Sequence, residues 1–232
     1  MITPNWIESG EGARGLVFLH GVSGGAAGAL ELLPRLAAPG WRTLAWDMPG
    51  YGASEPFEPD TPEGMGAYAD ALAELLDAAG LERAVLVGHS MGGILFGMMP
   101  QHPRIDRVAT LGSGSGYREH VARPLRYVMG VFWHVIVPLS VARHGYFAGR
   151  RIRTVDDLPR GVVAQWKRWC SHPDFVVSEG EAVRQAYASV KLPITAVVFT
   201  DDTMASPRGV KAMHSHYTGT QVDLKVLRPE QH

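Results

Sequence analysis

Six short apolar runs punctuate this chain: GLVFLH (15–20), WRTLAW (41–46), AVLVG (84–88), VATLG (108–112), ITAVVF (194–199) and VDLKVL (222–227). Val, Leu and Ile dominate them, and the central runs show little polar alternation, as strands covered on both faces do. Between the runs, Gly28 to Ala37, Pro62 to Ala79 and Met91 to Met99 carry helical spacing. Pro62 suits a first helical turn, where its missing N–H is no loss, and Gly80 suits a helix stop after ELLDAA. Strands alternating with helices predict an α/β fold: a mostly parallel sheet with helices on both faces and right-handed crossovers.

The alternation fails once. From 116 to 190 no strand pattern appears, and aromatic and arginine residues accumulate. Between Tyr117 and Trp169 ten Lys and Arg stand against three acids, a surplus of seven, although the whole chain carries a formal charge of -1. The segment 116–190 is expected to form a helical cap over one end of the sheet, with 1–115 and 191–232 as the core. Its charge suits either steering of an anionic substrate or a solvated face whose arginines pair with acids of the sheet. Phe132, Trp133, Trp166 and Trp169 suit packing between cap and sheet, or the wall of an apolar acyl pocket.

Composition narrows the classes. A chain of 232 residues, 46% apolar, can bury a sizeable core as one large domain or one domain with an insertion. Its near-zero charge gives no reason to expect a nucleic acid partner. The single cysteine, Cys170, forbids an internal disulfide, and MITPNWIESGEGARG lacks the basic-then-apolar order of a secretion signal, so a cytoplasmic location is expected. The greasiest stretch, VMGVFWHVIVPLSVA (128–142), falls short of the roughly 20 residues that span a bilayer and is interrupted by His134 and Pro138. The expectation is a soluble chain with no membrane partner. No cofactor or metal is expected either: the glycine-rich loops lack nucleotide-binding patterns, and His214 and His216, two apart, fall on different faces of a helix.

The chemistry concentrates at VLVGHSMGG, where a strand runs into Gly88-His89-Ser90-Met91-Gly92 and a helix follows. A serine on such a sharp strand-to-helix turn has a strained backbone, and its neighbours two away need to lack side chains. GSGSG at 112–116 does not meet the pattern, because neither Ser113 nor Ser115 has glycine at both positions two away; it reads as a flexible strand end. FLHGVSGG places His20-Gly21 after an earlier strand, and AWDMPGYGAS places Asp47 to Ser54 after the next. In an open parallel sheet, loops at the carboxyl ends of strands converge on one crevice.

Taken in order, HG, DMPGYGAS and GHSMGG make the sequence resemble the α/β-hydrolase superfamily over nearly the whole chain. The first part is similar to small-ester, lactone and C–C bond hydrolases. The later part (GSGSGYREH, GYFAGRR, DLPRGVVAQWKRWC, FTDD) is similar to a group of α/β-hydrolases without an assigned substrate class. The resemblance implies Ser90 as nucleophile, an acid after a later strand and a histidine base after the last. It implies the backbone N–H groups of Met91 and Val22 as the oxyanion hole, where losing one donor typically costs ~3 kcal/mol of transition-state stabilisation. For the acid, Asp202 lies five residues before Pro207 and fits best, with Asp201 second; one of the two could instead cap the helix beginning near Ser206. Of ten histidines, His20 and His89 precede or adjoin the nucleophile, and His120, His134 and His144 lie in the cap. His102 and His172 precede prolines, and His214 and His216 sit in the helix before the last strand. His232 follows VDLKVL by a short loop and is the expected base. Members of the second group run on to a Gly-His pair followed by aromatics that this chain lacks, which leaves His232 as a loop residue the other reading.

Three functions are consistent with these residues. The first is a serine hydrolase cleaving a carboxylic ester, thioester or lactone through an acyl-Ser90 intermediate. The second is a C–C bond hydrolase or acyltransferase of the same fold, and the third a catalytically incomplete, hydrolase-like binding protein.

Overall fold

A computed structural model describes residues 4–58, 64–99, 102–153 and 155–231. Seven strands form one sheet: β1 (Asn5–Gly10), β2 (Arg14–Leu19), β3 (Trp41–Asp47), β4 (Arg83–His89), β5 (Ile105–Leu111), β6 (Ile194–Phe199) and β7 (Val222–Leu227), in the order β1-β3-β2-β4-β5-β6-β7. All pairings are parallel except that of β1 with β3. The six apolar runs account for β2 to β7. β1, NWIESG, lacks an apolar run, because an antiparallel edge strand needs only one covered face.

Burial along β3 follows the strand period. Leu44 and Trp46 enter the main core, while Ala45 turns to the opposite face with Ala26, Ala29 and Leu33. The helices that cover the sheet are α1 (Leu33–Leu36), α2 (Met65–Ala78), α3 (Met91–Met98) and, between β6 and β7, α8 (Pro207–His214). The long helix expected over Gly28 to Ala37 is instead a 3-10 turn, Ala26–Ala29, and a single α-turn. Gly28 and Pro34 explain this, since neither favours a continuous helix. α2 begins at Met65, and Pro62 lies outside the described residues. Gly80, with φ 62°, ends that helix as expected.

Between β5 and β6 the chain forms α4 (Leu125–Val131), a π-turn (Phe132–Ile136), α5 (Val137–His144), α6 (Arg160–Cys170) and α7 (Glu181–Ser189). α4, the π-turn and α5 are continuous, a helix of 20 residues from Leu125 to His144. His134 and Pro138 do not interrupt it: Pro138 falls at the start of α5, and the preceding π-turn absorbs the change of register. It is therefore long and apolar enough to cross a membrane, although Met129, Trp133 and Val137 are buried in the main core. α7 packs on α3, where the Tyr187 hydroxyl donates to the Ile94 carbonyl at 2.7 Å.

Candidate active site

Strand registers set the site. Leu19 pairs with Gly88, His89 with Leu111, and Leu111 with Val197, so the loops after β2, β4, β5 and β6 leave the same edge together. Ser90 stands between β4 and α3 with φ 52° and ψ -117°, a conformation that L-residues rarely adopt. Its N–H donates to the Leu111 carbonyl at 2.9 Å, tying the turn to β5. Both glycines of G-x-S-x-G are needed sterically. A Cβ on Gly88 would collide with Gly93 and Gly92, and one on Gly92 with the carbonyl oxygens of Leu19 and His20.

The loop after β2 lies directly on this turn, since a Cβ on Gly21 would come within 2.9 Å of the Ser90 Cβ. His20 holds the loop from below. Its Nδ1 faces the Gly21 carbonyl at 2.7 Å, so that nitrogen carries the proton, and Nε2 accepts from the Met48 N–H at 3.1 Å. Burial lowers the His20 pKa, outweighing the Gly21 carbonyl and the Asp47 carboxylate, and favours this neutral form. Val22 and Met91 both line the pocket that contains Ser90. Among the described residues neither backbone N–H donates to a protein acceptor, while the Val22 carbonyl accepts from the Asp156 N–H at 3.1 Å.

The role of Asp47 was not legible beforehand. This buried carboxylate accepts from the N–H of Ala26 at 2.6 Å, the N–H of Ala53 at 3.1 Å and the Asn5 side chain at 3.1 Å, joining the 3-10 turn after β2, the loop after β3 and the start of β1. A Cβ on Gly52, at φ 52°, would run into that carboxylate.

Asp201 and Asp202 separate clearly. Asp202 Oδ1 accepts from the N–H groups of Met204 and Ala205, both at 2.8 Å, and Oδ2 lies 3.4 Å from where a Gly112 Cβ would stand. Gly112 is a wall of the Ser90 pocket. The Asp202 charge also reaches His89, raising its pKa against a larger lowering by desolvation. Asp201 is exposed. Ser206 caps α8, accepting from the Gly209 N–H at 3.2 Å, while Asp202 binds the two N–H groups just ahead of it. The expected base, His232, lies outside the described residues. The chain approaches it through the turn Pro229–Gln231 after β7, and the Thr200 N–H donates to the Leu227 carbonyl at 3.0 Å.

Apolar groups wall the pocket. Met65, Met91 and Ile94 come from the sheet side, Trp166, Trp169 and Phe175 from α6 and the turn after it, and Met204 and Ala205 from the Asp202 loop. Of the two places expected for the tryptophans, Trp166 and Trp169 stand in the pocket wall, and Trp133 is buried in the core, edge-on against Trp166 at 5.0 Å. Met65, Phe175 and Met204 come from separate loops and helices and carry no local signal. Gly112, Gly114 and Gly116 complete the wall, correcting the reading of GSGSG as a flexible strand end. Ser113 and Ser115 are fully buried, and a Cβ on Gly116 would stand 2.9 Å from Cys170 Sγ. The glycines are there because neighbouring elements close on the chain. His102 and His172 accept from the N–H two residues on, as turn residues do, and His214 is buried beside Thr110. Among the described residues no three His, Cys, Asp or Glu side chains converge.

Comparison with known proteins agrees with this architecture. The alpha/beta hydrolase fold profile matches residues 16–134. A 2-hydroxy-6-oxononadienedioate/2-hydroxy-6-oxononatrienedioate hydrolase from Pseudomonas putida is 37% identical over 116 residues, 47% of this chain and 40% of that protein. A 2-hydroxy-6-oxo-6-phenylhexa-2,4-dienoate hydrolase from Comamonas testosteroni is 33% identical over 120 residues, 50% of this chain and 41% of that protein. The chain thus matches about two fifths of the length of each relative. A solved meta-cleavage product hydrolase from Pseudomonas fluorescens IP01 superposes with a TM-score of 0.60 at 19% identity, over 97% of this chain and 86% of its own. With the profile spanning half its length and the strand order, the strained serine turn and the converging loops in place, the chain belongs to the alpha/beta hydrolase fold family.

Proposed function

We propose that this chain is a serine hydrolase that cleaves the C–C bond beside a ketone carbonyl in a small substrate whose acyl end is apolar. The observation that carries the reading is the Ser90 turn opening into a pocket walled by Met, Ile, Trp and Phe. Two matched relatives, named as hydrolases of 2-hydroxy-6-oxo compounds that carry a ketone and no ester, support the bond type. No cationic side chain lines the pocket among the described residues, which favours an aryl or alkyl ketone there over a second carboxylate.

In this reading His232 takes the Ser90 proton as Oγ attacks the ketone carbon, and Asp202 orients the imidazole through the oxygen facing Gly112. The Met91 and Val22 N–H groups hold the oxyanion. The C–C bond then breaks, its electron pair leaves on the carbon conjugated with the distal carbonyl, and His232 returns the proton there. Water splits the acyl-serine into a carboxylic acid and free Ser90. A second reading, carboxylic ester hydrolysis, draws on the same pocket. An apolar wall takes the acyl chain of a simple ester equally well, and the alkoxide would leave with the proton that His232 returns.

The test is turnover of 2-hydroxy-6-oxo-6-phenylhexa-2,4-dienoate against p-nitrophenyl butyrate, with Ser90→Ala beside the unsubstituted chain. The proposal expects the dienoate to be favoured in kcat/KM by about tenfold or more, and Ser90→Ala to lose about 1000-fold on it. Ester turnover alone would transfer the conclusion to the second reading. No turnover, with Ser90 unlabelled by a fluorophosphonate, would leave a binding protein.

A further inference from the structure

The helix from Leu125 to His144 has two faces with opposite surroundings. Met129, Trp133 and Val137 are buried in the main core, and Leu125, Phe132, Ile136 and Val141 pack partly against it. On the outside, Tyr127, Val128, Val131, Val135 and Leu139 are each between 48% and 67% exposed. Residues 127, 131, 135 and 139 recur every four positions, so these side chains form one stripe along the helix. Between Tyr127 and Ala142 the sequence has no Asp, Glu, Lys or Arg, leaving His134 as the exposed ionisable group. An outward helix face ordinarily carries charge, and an apolar patch of this continuity marks a contact surface.

Charge at the two ends of the stripe identifies the contact. Arg123 precedes the helix, Arg143 stands in its last turn, and Arg151 and Arg153 flank exposed Ile152 in the 3-10 turn that follows. All four are exposed, and none has a carboxylate within 4.0 Å among the described residues. The three nearby acids are engaged elsewhere. Glu119 pairs with Arg118 and Arg126, Asp156 with Arg150, and Asp157 accepts from the Arg150 N–H. The local excess of positive charge is therefore not neutralised by the sheet. It borders an apolar face.

We propose that this stripe rests on the surface of an anionic lipid bilayer, its Val, Leu and Tyr side chains reaching the acyl boundary and its flanking arginines meeting the headgroups. A membrane span is disfavoured, because withdrawing the helix would expose Met129, Trp133 and Val137. A second copy of the chain fits poorly, since two stripes packed antiparallel would set Arg123 of one against Arg143 of the other. The expectation of no membrane partner rested on spanning length; lying on an interface requires a face.

The test is co-sedimentation of the full chain with phosphatidylcholine vesicles and with vesicles that also contain phosphatidylglycerol, at low and high salt. Preferential pelleting with the anionic vesicles by about tenfold, released by salt, is expected. Val131→Glu/Leu139→Glu removes it at an unchanged near-ultraviolet circular dichroism spectrum. Arg123→Glu/Arg143→Glu, on exposed side chains, weakens it several-fold and decides the matter if the first variant fails to fold. Absence of pelleting, or equal pelleting with both vesicles, overturns the proposal. A dimer in sedimentation equilibrium that Val131→Glu/Leu139→Glu converts to monomer overturns it in favour of a second copy.

Discussion

Gly92 and the Leu19 carbonyl stand so close that a methyl group on the glycine has no room. The contact locks the first turn of α3 onto the end of β2, and both neighbours are backbone in the centre of the sheet. Relief would require moving a strand or the helix that carries Ser90. Gly92→Ala is expected to cost about 3 kcal/mol of stability, at the upper end of overpacking penalties. Gly28→Ala, where a Cβ would meet nothing within 4 Å, should change stability by less than about 0.5 kcal/mol. Urea denaturation of both variants checks the contrast.

A second prediction concerns α7. Tyr187 is fully buried, its ring lies where a Gly97 Cβ would stand, and its hydroxyl bonds the Ile94 carbonyl at 2.7 Å. Tyr187→Phe keeps the ring and deletes the bond, for an expected loss of about 1 kcal/mol. Gly97→Ala should cost more, because it displaces the ring. Thermal melts of the two variants give the order.

What the sequence revealed follows from how locally each feature is encoded. Six strands and the Ser90 turn were legible because Val-, Leu- and Ile-rich runs and a glycine-flanked serine are local patterns, read within ten residues. β1 escaped because NWIESG pairs on one side only, and its place is set by Asp47 and Asn5 across the sheet. GSGSG misled for the opposite reason: glycines that suggest freedom are there to let α6 and α8 close on the chain, as the Gly114 contact with Val210 and the Gly116 contact with Cys170 show. Phe175 and Met204 reach the Ser90 pocket from segments 29 residues apart, a proximity only the folded chain creates. The strand-free stretch was visible, but its helix was underestimated because His134 and Pro138 looked like breaks.

The two aspartates are expected to differ sharply. Asp202→Asn would turn an acceptor-only group into one that can present an amide donor toward the base, and a triad carboxylate altered this way loses about 10000-fold in kcat. Asp201→Asn, on an exposed side chain, should stay within about threefold of the parent on the same substrate. Comparable losses in kcat for both variants, with KM unchanged, would reverse the assignment.

His214 should make stability depend on pH with a definite sign. Its Nδ1 faces the Val210 carbonyl at 2.8 Å and must carry a proton, so Nε2 accepts from the Thr110 hydroxyl at 2.8 Å. A second proton would remove that acceptor in a site only 3% exposed, and burial accordingly lowers the pKa from 6.5 to about 4. The folded state thus binds this proton less readily than the unfolded chain. Its contribution is fully present above pH 6.5 and is lost as the pH falls from there to about 4, amounting to about 3 kcal/mol across that window. Urea denaturation at intervals through this range should show the decline. In His214→Gln, which cannot titrate, the decline should be smaller by about the same 3 kcal/mol. An identical slope in the two proteins would mean that another group carries the acid sensitivity.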